Sequence, residues 1–82
     1  MPNAQERGIL GPTTRKVLEV TVRFWAEHGY SPSLRDIGGE VNIVPSLVAY
    51  HLAHLRTGGW IAYDDGVARS IRVIRKEAQD VR

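Results

Sequence analysis

The sequence predicts a mainly α-helical fold closed by a small β-hairpin. Three observations carry that prediction. Apolar residues recur at helical spacing in three successive stretches between Pro12 and Gly58. Each stretch opens on a proline or a capping serine and closes on glycine or asparagine, the residues that suit helix starts and stops. After Gly58-Gly59 the period changes from helical to alternating.

Residues 1–10 are polar and aperiodic and read as a flexible N-terminal arm. Gly11-Pro12 then opens the first helix, because the N–H that proline lacks would be unpaired there anyway. Val17, Leu18, Thr21, Phe24, Trp25 and His28 form its inward stripe, and Lys16, Glu19, Arg23, Ala26 and Glu27 its outer face. Val20 and Val22 fall off the stripe and are left without an evident home. Gly29 stops the helix.

After the turn "YSP", the stretch "SLRD" (Ser33 to Asp36) has the spacing of a capping box. Leu34, Ile37 and Val41 make a short stripe, and Asn42 can take the left-handed conformation that ends the second helix. Pro45 starts a third helix, "PSLVAYHLAHL". At about 100° per residue, Val48, Leu52 and Leu55 line one side; Ser46, Leu47, Tyr50, His54 and Thr57 line the other, with His51 at the flank. "WIAYD", a five-residue turn "DGVAR" and "SIRVI" then form a hairpin, with Ile61, Tyr63, Ile71 and Val73 facing inward. Trp25 and Trp60 read as packing anchors. Helix, helix, tight turn, helix and hairpin is the order of a winged helix-turn-helix, assigned to residues 11–74 and followed by a polar tail at 75–82.

A chain of 82 residues has room for one small domain, and without cysteine it has no disulfide framework and no thiolate chemistry. No acid–base pair, nucleophile triad or phosphate loop occurs at usable spacing, which argues against an enzyme. There is no apolar run long enough to span a membrane and no secretory core near the N-terminus, so a cytoplasmic protein is expected. The net charge of +2 is unevenly placed: residues 17–66 carry −3 and residues 67–82 carry +3. Arg69, Arg72, Arg75 and Lys76 form a basic cluster that can track phosphates or keep a strand edge soluble.

The stretches "EHGYSPSLRDIGGEV" (Glu27 to Val41), "SLVAYHLAHLRTGGWI" (Ser46 to Ile61) and "RSIRV" (Arg69 to Val73) resemble the DNA-binding domain of LexA-type repressors. The likeness covers roughly Leu10 to Ile74. It implies a winged helix that binds operator DNA, usually as a dimer, with its third helix in the major groove. Four features depart from the family pattern. Leu47 stands where the family has a polar or small residue, and the wing tip carries Asp64 and Asp65, which phosphates would repel. Val44 stands where the family has a capping serine or threonine, and the self-cleaving second domain finds no counterpart, so a stand-alone regulator is expected.

Carried over by position, the groove-facing residues are Ser46, Leu47, Tyr50 and His51, with His54 along the flank. Arg69, Arg72 and Lys76 are the phosphate candidates, with Arg15 or Lys16 beside them. The expected partner is double-stranded DNA, in palindromic sites that bring two copies together. His51 and His54 make an H-x-x-H pair, but two ligands do not complete a zinc site, so neither metal nor cofactor is expected. A rival reading keeps the fold and changes the partner. Val44, Leu47 and Tyr50, with Val20 or Val22 as a second patch, would then dock a protein and make the domain an adaptor.

Overall fold

The computed structural model describes residues 10–75. Three helices, α1 (Pro12–His28), α2 (Leu34–Val41) and α3 (Pro45–Thr57), precede two short strands, β1 (Ile61–Ala62) and β2 (Arg72–Val73). The strands pair antiparallel, with Ile61 opposite Val73 and Ala62 opposite Arg72. The fold is therefore mainly α with a two-stranded wing, the winged helix-turn-helix class that the sequence predicts.

Local chemistry sets the helix ends. Pro12 and Pro45 occupy first-turn positions of α1 and α3. Gly29 closes α1 in the left-handed conformation and Asn42 does the same for α2. At the start of α2 the capping box is reciprocal: the Asp36 N–H donates to Ser33 Oγ at 3.1 Å and the Ser33 N–H to Asp36 Oδ2 at 3.0 Å. The N-cap of α3, Val44, offers no side-chain acceptor. The turn between α2 and α3 is compact because Gly38 O accepts from both Asn42 N and Ile43 N, at 2.7 and 3.1 Å.

One core lies between the helices and the base of the wing. Val17 and Leu18 of α1, Ile37 of α2 and Val48, Leu52 and Leu55 of α3 meet Trp60, Ile61 and Ile71 there. Four expectations change. Val20 is only 2% exposed and belongs to the core, so it cannot form part of a surface patch; Val22 is half-buried against that core. α1 packs on both α2 and α3, and this buries a wider arc than one stripe. At its C-terminal end the reverse holds: Phe24 and Trp25 are half-buried and His28 is exposed. Leu10, placed by sequence in the arm, is buried in the core; residues 1–9 lie outside the described part.

The fourth change concerns the wing. Its strands are two residues long, so the loop between them runs from residue 63 to residue 71 instead of five residues. Ser70 replaces ladder bonds within it: its hydroxyl accepts from Asp64 N at 3.0 Å and donates to Val67 O at 2.9 Å. Ile71 is fixed from outside the hairpin. Its N–H donates to Ser31 Oγ at 3.0 Å and its carbonyl accepts from Trp25 Nε1 at 2.9 Å. These bonds anchor the wing to α1 and to the turn before α2.

Candidate nucleic-acid interface

The solvent face of α3 follows from its core face. With Val48, Leu52 and Leu55 turned inward, a 100° step leaves Ser46, Leu47, Tyr50, Ala53 and Thr57 exposed. Leu47 is 41% exposed and Tyr50 57%, large values for residues of their size. Just before the helix, Val44 is 61% exposed. The Tyr50 ring is steadied by edge-on contacts with His54 and His51, at centroid distances of 4.6 and 5.3 Å. Ser46, Leu47 and Tyr50 thus share one surface, as the sequence predicts, and His54 flanks it half-buried.

His51 sits differently. It is half-buried, and its Nδ1 lies 2.8 Å from Thr14 Oγ1 on α1. Burial, and after it the neighbouring His54, lowers its pKa below the usual 6.5. A ring in that position ties α3 to α1, and its Nδ1 is not available to a groove. With His51 bound to Thr14 and His54 packed on Tyr50, the H-x-x-H pair is engaged within the protein.

The wing arginines are also engaged. Arg69 has a left-handed backbone, φ 55°, and its Nη1 reaches both Ser31 O and Asp36 Oδ2 at 3.0 Å. It thereby locks the wing to the capping box of α2. Asp36 is held below its ordinary pKa of 3.8, chiefly by the Ser33 N–H, then by the Ser33 hydroxyl and Arg69, with burial opposing. Arg72 lies 3.7 Å from Asp64, and Arg56 pairs with Asp65 at 3.0 Å while stacking 4.1 Å above Tyr63. Arg75 donates to Gly58 O at 2.8 Å and covers the Trp60 ring at 3.9 Å. Lys76 lies outside the described residues.

Between α2, α3 and the wing runs an open cleft of about 590 Å³. Pro45, Ala49 and Leu52 form its α3 wall, Leu34 and Arg35 its α2 wall, and Val67 and Arg69 belong to its wing side. Arg35 is exposed and makes no ion pair among the described residues. The sequence signal for Arg35 was available: it is the second residue of a helix that a capping box places beside α3.

A three-helix domain with an exposed third helix and a short anchored wing defines the winged helix-turn-helix class. A family model described as the LexA DNA binding domain matches residues 9–70. The chain is 48% identical over 61 residues to LexA repressor 1 of Nocardia farcinica, covering 72% of this chain and 28% of the relative. It is 38% identical over 65 residues to the LexA repressor of a Roseiflexus species, covering 78% and 30%. It is 38% identical over 60 residues to that of Thermobifida fusca, covering 72% and 24%. The chain belongs to the LexA DNA-binding domain family. It spans less than a third of the length of each of these relatives.

Proposed function

We propose that this domain binds double-stranded DNA sequence-specifically and acts in transcription regulation, as the names of its relatives suggest for them. The observation that carries this reading is the outer face of α3: Ser46, Leu47 and Tyr50 are exposed together on the helix that follows the helix-turn-helix corner. In this reading α3 lies in the major groove and these three side chains meet base edges, with His54 at the groove margin. His51 positions α3 through Thr14 and stays behind that face.

Phosphate attraction is shared. Arg69 and Arg72 keep exposed guanidinium groups, but each already faces a carboxylate. Lys76 supplies a further charge. Arg35, Arg15 and Lys16 make no ion pair among the described residues and contribute their full charge. Two copies on a palindromic site provide the affinity that one small module lacks. Among the described residues no helix is long and apolar enough to cross a membrane. A regulator of this kind works in the cytoplasm, where bacterial DNA is.

Selection of bound sequences from random duplex DNA tests the reading. Enrichment of a palindrome is expected, and sedimentation should show two protein copies per enriched duplex. Recovery of unenriched DNA would overturn sequence-specific binding. A second reading, a protein-docking adaptor, is favoured by one observation, the exposed apolar trio of Val44, Leu47 and Tyr50. Salt separates the two, because phosphate contacts weaken steeply with ionic strength and an apolar interface does not.

A further inference from the structure

The outer face of α3 has an unusual chemistry for a groove reader. Side chains that pair with bases through two hydrogen bonds are Arg and Lys for guanine and Asn and Gln for adenine, while Asp and Glu accept from cytosine. The exposed residues Ser46, Leu47, Tyr50, Ala53 and Thr57 include none of these. The cation of α3, Arg56, is turned to Asp65 and the Tyr63 ring. What the face presents is a leucine side chain, a tyrosine ring, an alanine methyl and hydroxyls that can donate or accept.

We infer that Leu47 and Tyr50 read DNA chiefly through the 5-methyl groups of thymine, so that the half-site is defined by where its thymines stand. This rests on the DNA-binding reading above and adds to it the class of base contact. The thymine methyl is the apolar group on the major-groove edge of the four bases, and apolar side chains are its partners. Leu47 and Tyr50 lie three positions apart, adjacent on the helix surface. The edge-on histidines restrain the Tyr50 ring before binding, so less freedom is lost when a methyl packs on it. Ala53, one turn further along, carries little bulk, which lets the helix backbone approach the base edges. The hydroxyls of Ser46 and Thr57 do not distinguish bases by themselves, and the Thr57 methyl stands at the far, C-terminal end of α3.

The experiment replaces thymine by deoxyuridine, one position at a time, in the duplex enriched from the random pool. The exchange removes one methyl and leaves every Watson–Crick hydrogen bond in place. At the thymines under α3 each exchange should weaken binding by about fourfold, the worth of one buried methyl group. Leu47→Ala and Tyr50→Ala should each become insensitive to the exchange at one position while keeping sensitivity at the other. Both residues are exposed, so the variants should fold, and circular dichroism checks this. A palindrome that binds equally well with uracil at every position would overturn methyl reading and leave the DNA-binding reading standing. A pool without enrichment would overturn both.

Discussion

Two neighbouring glycines of α2 should respond to the same substitution with opposite signs. At Gly38 an added Cβ would lie 2.6 Å from the backbone carbonyl oxygen of Ile43. That atom cannot swing aside as a side chain would. It belongs to the turn whose Asn42 and Ile43 N–H groups both bond to Gly38 O. Relief must come from moving α2 against the start of α3. Overpacking of this kind costs about 1–3 kcal/mol. Alanine returns about 0.5–1 kcal/mol by restricting the unfolded chain and favouring helix. Gly38→Ala should therefore be destabilising by roughly 1–2 kcal/mol.

At Gly39 the added Cβ meets nothing within 4 Å, and the backbone is already helical. Gly39→Ala should be stabilising by about 0.5–1 kcal/mol. For a domain of this size, 1 kcal/mol shifts Tm by about 4–8 °C, so the two variants should differ by roughly 10 °C. Thermal unfolding followed by circular dichroism, with urea titration as a check, measures the gap. A Gly38→Ala protein as stable as the parent would refute the close approach of α2 to the Ile43 carbonyl. With it would go the reason for this geometry of the helix-turn-helix corner.

Other perturbations test individual contacts. Asp36 has a depressed carboxyl pKa in the folded state, so its contribution is present above the ordinary value of 3.8 and is lost as pH falls through the folded value. Asp36→Asn should cost about 1 kcal/mol at neutral pH, the scale of a lost cap, and should flatten the acid limb of stability against pH below about 4. His51 has a folded pKa below 6.5, so the unfolded chain takes up its proton first and stability falls as pH drops below 6.5 until the folded pKa is reached. His51→Gln should remove that loss, read by urea unfolding at several pH values; an unchanged pH dependence would show that His51 is not the group concerned. In the DNA-binding reading, Arg35→Gln should reduce the slope of log affinity against log salt by about one unit, and Arg69→Gln by less, because Arg69 faces Asp36. The reverse order of effects would return the phosphate role to Arg69.

The elements were legible in the sequence because their boundaries are set by neighbours in the chain. Pro12, Gly29, the Ser33 and Asp36 pair, Asn42, Pro45 and Gly58 each act within a turn of their own position. The exposed run of Ser46, Leu47 and Tyr50 followed from the same periodicity that buries Val48, Leu52 and Leu55. What was not legible depends on residues far apart in sequence. Thr14 meets His51 across 37 positions, and Arg69 meets Ser31 across 38. No local pattern announces either contact. Val20 was misread for a related reason: a single stripe describes a helix with one packed side, whereas α1 is covered by both α2 and α3. The wing length was misread because Ser70, Ser31 and Trp25 supply bonds that a regular ladder would have made.

The ion pairs of the wing bear on how such a domain finds DNA. Asp64 and Asp65 look repulsive to phosphate in the sequence, but each faces an arginine, Arg72 and Arg56 respectively. The pairing leaves the loop close to neutral and lets it lie beside a backbone without strong attraction or repulsion. With Arg69 matched to Asp36 as well, and Arg75 donating to Gly58 O, the cations that make neither an ion pair nor a side-chain hydrogen bond among the described residues are Arg15, Lys16 and Arg35. In the DNA-binding reading, three full phosphate contacts would contribute about 2.7 to the salt slope of one copy, with smaller additions from the paired Arg69 and Arg72, and two copies would give about twice that. A slope so shallow for one copy means weak nonspecific attachment. In the DNA-binding reading, occupancy of a site would then depend on the base-edge contacts of α3 and on a second copy bound alongside. A domain of this design would spend little time on random sequence, and its selectivity would rest on Leu47 and Tyr50 more than on the basic cluster that first draws the eye in the sequence.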